Sequence, residues 1–303
     1  MNSKTMNAKS NSTKGVICIA LAGIEFGAFP IMASLYMQFG GSSASFNFYG
    51  FLLTCVILAG IIIVQKKSFL MPKRLFLFVL LCGFFNGIAR LLLTESYKYL
   101  NAGVATTLHF LYPIIAAVAG SYIFKERMPA YKWMIFLIAC LSVAFFITAD
   151  GNGAGVKGIL LAVLSSFGFA SYMVTSERAG AADADPFVVL FWVSIVSMIG
   201  VFFYGLGAGD LFQPIPVKAW IVVIVCALLN NVIAFILQLI GVRHLGATMA
   251  ALFSLFEPVF SCIFGALFLG QSMTALSYIG IVMILGCLVV MILLDNKYAK
   301  AAR

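Results

Sequence analysis

The chain has 303 residues, of which 63% are hydrophobic and only 10% charged, and its mean hydropathy is +1.10. A soluble globular domain carries about 45–50% apolar and about 25% charged residues, so this composition excludes an ordinary water-soluble fold. The net charge of +9 does not point to nucleic acid, because the basic residues sit in short connecting stretches and form no polar face.

A helix needs roughly 20 apolar residues to cross the hydrocarbon core. Ten such segments are expected, at 15–37, 44–64, 75–97, 102–124, 131–149, 157–177, 186–206, 218–242, 246–269 and 274–294. The first follows a polar stretch, Met1 to Lys14, and is too long for a signal-peptide core, so it reads as a retained span. Turn and charge signals part the rest: Gly40-Gly41-Ser42, Gln65 to Arg74, Asn101, Lys125 to Pro129, Asp150 to Gly155, Asp183 to Pro186, Gly205 to Pro216, Gly246 and Gly270-Gln271. The expected fold class is an all-α integral membrane protein.

Cytoplasmic loops are enriched in Lys and Arg. With the N-terminus inside, fifteen of the 19 basic residues fall on the inner side, Lys98, Lys157 and Lys218 fall outside, and Arg90 lies within a span. That bias favours ten spans with both termini cytoplasmic. Trp133 and Trp220 begin spans, as interfacial anchors do.

The two halves resemble each other. A shift of 145 positions lays Asn86 on Asn231, Ala89 on Ala234, Lys98 on Arg243, Ala105 on Ala250 and Pro113 on Pro258. A shift of 143 lays Lys14-Gly15 on Lys157-Gly158 and Phe26 on Phe169. Five spans per half, an odd number, turn the second half upside down: two inverted five-helix repeats, 1–152 and 153–303, forming one membrane domain. Secondary transporters are often built this way, with the substrate near the midplane between the halves.

The segments Ser96 to Glu126 (SYKYLNAGVATTLHFLYPIIAAVAGSYIFKE) and Ile240 to Gln271 (IGVRHLGATMAALFSLFEPVFSCIFGALFLGQ), on a five-plus-five layout, resemble the drug/metabolite transporter (DMT) superfamily, EamA type. The likeness rests on a small-residue hairpin followed by a Pro inside the fourth and ninth spans. The family's Gly-Glu after those spans is Lys125-Glu126 in the first copy and Gly270-Gln271 in the second, so the terminal acid is missing from repeat two. The resemblance implies a ten-span transporter and leaves the cargo open.

Ionisable groups at membrane depth cost roughly 2.5–3.5 kcal/mol each on insertion scales and need a partner or a wet cavity. Glu25, in GIEFGAFP, projects away from the Gly23–Gly27 face and is expected to hold a cargo ammonium or proton, or to pair with Arg90. Arg90 shares a stripe with Asn86, Gly83 and Gly87 and suits a carboxylate or phosphate, or the neutralisation of Glu25 or Glu257. His109, beside Thr106 and Tyr112, could couple transport to protons or be a satisfied structural histidine. Glu257 precedes Pro258, matches Tyr112 in the repeat, and serves either cargo or the backbone gap beside the proline. Asn86 and Asn231 are repeat mates whose amides line the cavity or bond a neighbouring helix, and Gln238 is of the same kind. Aromatic residues including Phe26, Phe29, Phe169, Tyr172 and Phe253 would suit an ammonium through cation–π attraction, or are core and lipid contact.

Gly153-x-Gly155-x-x-Gly158 matches the dinucleotide fingerprint in letters only, since it joins two spans and follows no strand. No phosphate loop occurs, and the seven cysteines lie in apolar runs without ligand spacing. No cofactor, metal or nucleic-acid partner is expected. The expected function is secondary active transport of a small metabolite, an amine or amino acid, across the plasma membrane by alternating access, with protons a possible coupling ion. Alternatives are a proton-coupled exporter of drugs or organic acids, or a membrane-embedded enzyme acting on lipid.

Overall fold

The computed structural model describes residues 3–123, 129–149, 154–179, 184–245 and 254–301, and every regular element among them is helical. In chain order these are α1 (Ser3–Gln38), α2 (Ser43–Val64), α3 (Lys73–Ser96), α4 (Ala102–His109), α5 (Tyr112–Ile123), α6 (Ala130–Ala149), α7 (Ala154–Ala179), α8 (Pro186–Ala208), α9 (Val217–Cys226), a π-helical segment (Ala227–Ile233), α10 (Ala234–Leu245), α11 (Phe256–Leu269) and α12 (Ala275–Ala301). Among the described residues eight helical spans are long and apolar enough to cross a membrane: 13–38, 43–64, 73–96, 102–121, 155–178, 186–208, 217–242 and 275–295. Two shorter apolar helices, Ala130–Val143 and Phe256–Leu269, accompany them. The expected span 246–269 begins on residues outside those described.

Local chemistry sets the ends. Ser42 caps α2, with its side chain accepting from Ser45 N and the Ser45 hydroxyl accepting from Ser42 N, a reciprocal capping box. Asp185 caps α8 by accepting from Phe187 N at 3.0 Å and Val188 N at 3.4 Å, with Pro186 at the first helical position. Gly209, at φ +70°, closes the same helix in a left-handed conformation that glycine takes without strain.

The fourth span is broken. Pro113 has no N–H to give the His109 carbonyl, and its ring crowds that carbonyl. The helix therefore stops at His109 and restarts at Tyr112, with tight three-residue bonds from Leu111 N to Leu108 O and from Ile114 N to Leu111 O. Leu255 forms a turn three residues before Pro258 in the matching place. Pro30, by contrast, sits inside a continuous α1.

The two halves interleave. α3 packs on α7 and α8, α1 on α10 and α11, α2 on α8, α4 on α7 and α11, and α6 on α12. Small residues permit the closest approaches. A Cβ added to Gly27 would lie 2.6 Å from Phe260 Cβ and 3.0 Å from the Glu257 carbonyl oxygen. One added to Gly83 would lie 2.5 Å from Val196 Cβ. Gly27→Ala should therefore cost about 1–3 kcal/mol through overpacking. Gly60→Ala, where an added Cβ meets nothing within 4 Å, should be neutral or stabilising by up to about 1 kcal/mol. Melting temperatures of the two variants in detergent give the comparison.

Asp185 also pairs with Lys67 across the bundle end. Partial burial raises its pKa, but the Lys67 ammonium and the two cap N–H groups together hold it below the usual carboxylate value. A depressed folded pKa means the contribution is complete at neutral pH and is lost as pH falls below about 4. Asp185→Ala should cost about 1 kcal/mol at pH 7. Asp185→Asn keeps the cap acceptor and should cost roughly a few tenths of a kcal/mol. The gap between wild type and Asp185→Asn should close in unfolding curves recorded below about pH 4.

Candidate functional site

A cavity of about 180 Å³ opens where α1, α3, the α4–α5 break, α7, the π-helical segment, α10 and α11 converge. Its walls carry Asn86 and Arg90 from α3, His109 and Tyr112 from either side of the break, Asn230 from the π segment and Glu257 from α11. A second lobe of about 360 Å³ shares Asn86, Arg90, Tyr112 and Asn230 and adds Thr54, Ser194 and Asn231. A third, of about 350 Å³, continues past Tyr112 to Val242, Leu288 and Ile292. The last two belong to α12.

Arg90 lies at the junction of the first two lobes. Its guanidinium stacks 4.2 Å from the centroid of Phe29 and 5.4 Å from that of Phe51, contacts that a planar, weakly hydrated cation favours. Among the described residues it makes no ion pair: the three pairs present are Lys67–Asp185, Lys98–Glu95 and Lys132–Asp295. Its Nε has no hydrogen-bond partner. Glu257 faces the same cavity from the first turn of α11, where the positive end of the helix dipole favours a carboxylate. Arg90 and Glu257 thus share a cavity without pairing.

Asn86 donates to Ser197 Oγ at 3.1 Å, and Ser197 Oγ donates to the Gly83 carbonyl at 2.8 Å. Asn231 donates to Thr54 Oγ1 at 2.9 Å. Each amide therefore both lines the cavity and ties two helices together. The rings of His109, Tyr112 and Phe169 pack together, with centroids 4.6–5.5 Å apart. His109 Nδ1 lies 2.9 Å from Ser165 Oγ.

Glu25 stands apart from the lining. The next residue, Phe26, turned about 100° further round the helix, holds the place in the cavity wall. Glu25 is half-buried, its Oε2 has no hydrogen-bond partner, and it forms no ion pair with Arg90. Its main-chain carbonyl accepts from Asn230 Nδ2 at 2.9 Å. Phe253 lies outside the described residues. Asn230 was missed by sequence reasoning. The signal was the adjacent pair Asn230-Asn231, and a π turn widens the helix so that both amides reach the site.

One family model, the EamA-like transporter family, matches the chain twice, over residues 13–148 and 156–293. An uncharacterized transporter of Bacillus subtilis (strain 168), YdfC, is 28% identical over 226 residues, 73% of each chain. The threonine/homoserine exporter RhtA of Salmonella typhimurium (strain SL1344) is 25% identical over 271 residues, 88% of this chain and 86% of that one. One solved crystal structure superposes with a TM-score of 0.61 at 16% identity, covering 95% of this chain and 99% of the other, which speaks to the fold. With apolar helices of spanning length around a cavity lined by aromatic and polar residues, and one transporter model fitting both halves, the chain is a multi-pass membrane protein that belongs to the EamA-like transporter family.

Proposed function

We propose that the protein is a secondary transporter that carries a zwitterionic amino acid across the plasma membrane by alternating access. The observation that carries this reading is that Arg90 and Glu257, ionisable groups of opposite sign, line one cavity without forming an ion pair. An unpaired charge at membrane depth is costly, and a cargo bearing both charges offsets that cost when it binds. Arg90 takes the carboxylate through its fork of donors, and Glu257 takes the ammonium. His109, Tyr112, Asn86 and Asn231 complete the walls.

The chain is read as ten spans in two inverted halves, 1–152 and 153–303, with both termini cytoplasmic. The double family match supports this. So do the helix pairings, which keep their pattern when each helix is exchanged for its mate in the other half: α3 on α7 corresponds to α10 on α1, and α1 on α11 to α7 on α4. The halves rock about the site, driven by a gradient of cargo or of protons. The relative named as a threonine/homoserine exporter supports an amino acid as the cargo class, and the family supports flux over lipid chemistry.

Purified protein in detergent, screened by thermal shift, tests the reading. Zwitterionic amino acids should raise the melting temperature by mass action, and amines or acids alone should do so less. Glu257→Gln and Arg90→Lys should each weaken the amino-acid response about tenfold or more, while Glu25→Gln leaves it near wild type. Stabilisation by organic acids alone, or full amino-acid binding by Glu257→Gln, overturns the proposal.

A further inference from the structure

The contact between His109 and Ser165 fixes more than a distance. Ser165 Oγ lies 2.6 Å from the Ala162 carbonyl oxygen. A carbonyl oxygen only accepts, so the single hydroxyl hydrogen of Ser165 is committed to it. Towards His109 Nδ1, at 2.9 Å, Ser165 Oγ can then only accept. Nδ1 must carry a hydrogen, and in the neutral ring Nε2 is left with its lone pair. No described residue bonds Nε2, and it is not among the fully enclosed unpartnered atoms, so the cavity that His109 lines reaches it. The ring cannot swing away easily, because Tyr112 and Phe169 pack on it with centroids 5.5 and 5.3 Å distant. A buried histidine on a broken helix is thereby held as a hydrogen-bond acceptor in the wall of the cavity that Arg90 and Glu257 also line.

We propose that His109 determines cargo specificity by reading N–H donors on the cargo's cationic end: Ser165 holds Nε2 as an acceptor, so a primary-ammonium zwitterion binds in preference to its N-trimethylated counterpart of equal charge. This rests on the amino-acid reading of the same cavity and deepens it. Trimethylation keeps the positive charge that Glu257 and the aromatic rings attract and removes every N–H that the cationic end could donate to Nε2, leaving the threonine hydroxyl the same in both probes. The discrimination therefore isolates the hydrogen bond from the electrostatics.

The test pairs two variants with two probes, L-threonine and its N,N,N-trimethyl derivative, with affinities measured on the full chain in detergent. An Asn amide reaches only the Nδ1 position and still faces Ser165, whereas a Gln amide reaches the Nε2 position. His109→Asn should lose about tenfold in affinity for threonine and bind the trimethyl probe as the wild type does. His109→Gln should keep most of the preference for threonine. Equal losses for both probes in His109→Asn would mark a purely structural residue and overturn the proposal. The chain has only two histidines, so His244→Gln leaves His109 alone for nitrogen-15 spectroscopy. A proton on Nδ1 with Nε2 bare is expected, relaxing in Ser165→Ala, and a proton on Nε2 with Nδ1 bare overturns the proposal regardless of binding. If neither probe shifts the wild type, the amino-acid reading falls and the cargo role of His109 falls with it. If threonine binds but His109→Asn does not change its preference, only the present inference falls.

Discussion

In hydrocarbon, every backbone polar group must find its partner inside the protein and an unpartnered polar side chain is costly, and the arrangement of this bundle follows from how its few polar residues meet that demand. The hydroxyls mostly fold back on their own helices: Thr54 on the Gly50 carbonyl, Thr94 on Arg90, Thr107 on Gly103, Ser142 on Ala139. The amides reach across. Asn86 bonds Ser197, Asn230 bonds the Glu25 carbonyl and Asn231 bonds Thr54. All three contacts join the first half of the chain to the second. Apolar side chains give no preference between a helix neighbour and a lipid tail, so small residues and cross-helix hydrogen bonds settle which helices pair.

The same demand explains where the site lies. Breaking a spanning helix frees backbone groups, which is tolerated where protein or a cavity receives them. Pro113 makes such a break, with Leu111 and Ile114 closing tight bonds around it. His109 ends one piece and Tyr112 begins the next, so both side chains meet the cavity. On the other side Glu257 sits in the first turn of α11, beside Pro258, where the helix terminus favours its charge. The π segment brings Asn230 and Asn231 to the same space. Irregular backbone and chargeable side chains thus coincide because each needs the cavity.

Much of this was legible in the chain. The apolar runs gave helices at the expected places, and Pro113, Pro258 and the repeat mates Asn86 and Asn231 marked the centre. Arg90, His109, Tyr112 and Glu257 were picked out as polar residues in apolar surroundings, and they share one lining. Glu25 met the same criterion and lies off the lining, since a helix turns about 100° per residue and one position decides which way a side chain faces. Asn230 was passed over because a regular helix directs adjacent residues apart. The π turn that reconciles them is a tertiary accommodation.

The sequence by itself determined a helical membrane protein with polar residues at mid-span, because composition and period are local properties of the chain. The tertiary structure decided that the halves interleave, that Arg90 and Glu257 line one cavity unpaired, and that Ser165 lies against Nδ1 of His109. Those facts depend on a contact between residues 56 positions apart in the chain and on a cavity shared by residues 167 positions apart, and no local pattern encodes the rotation of one helix against another.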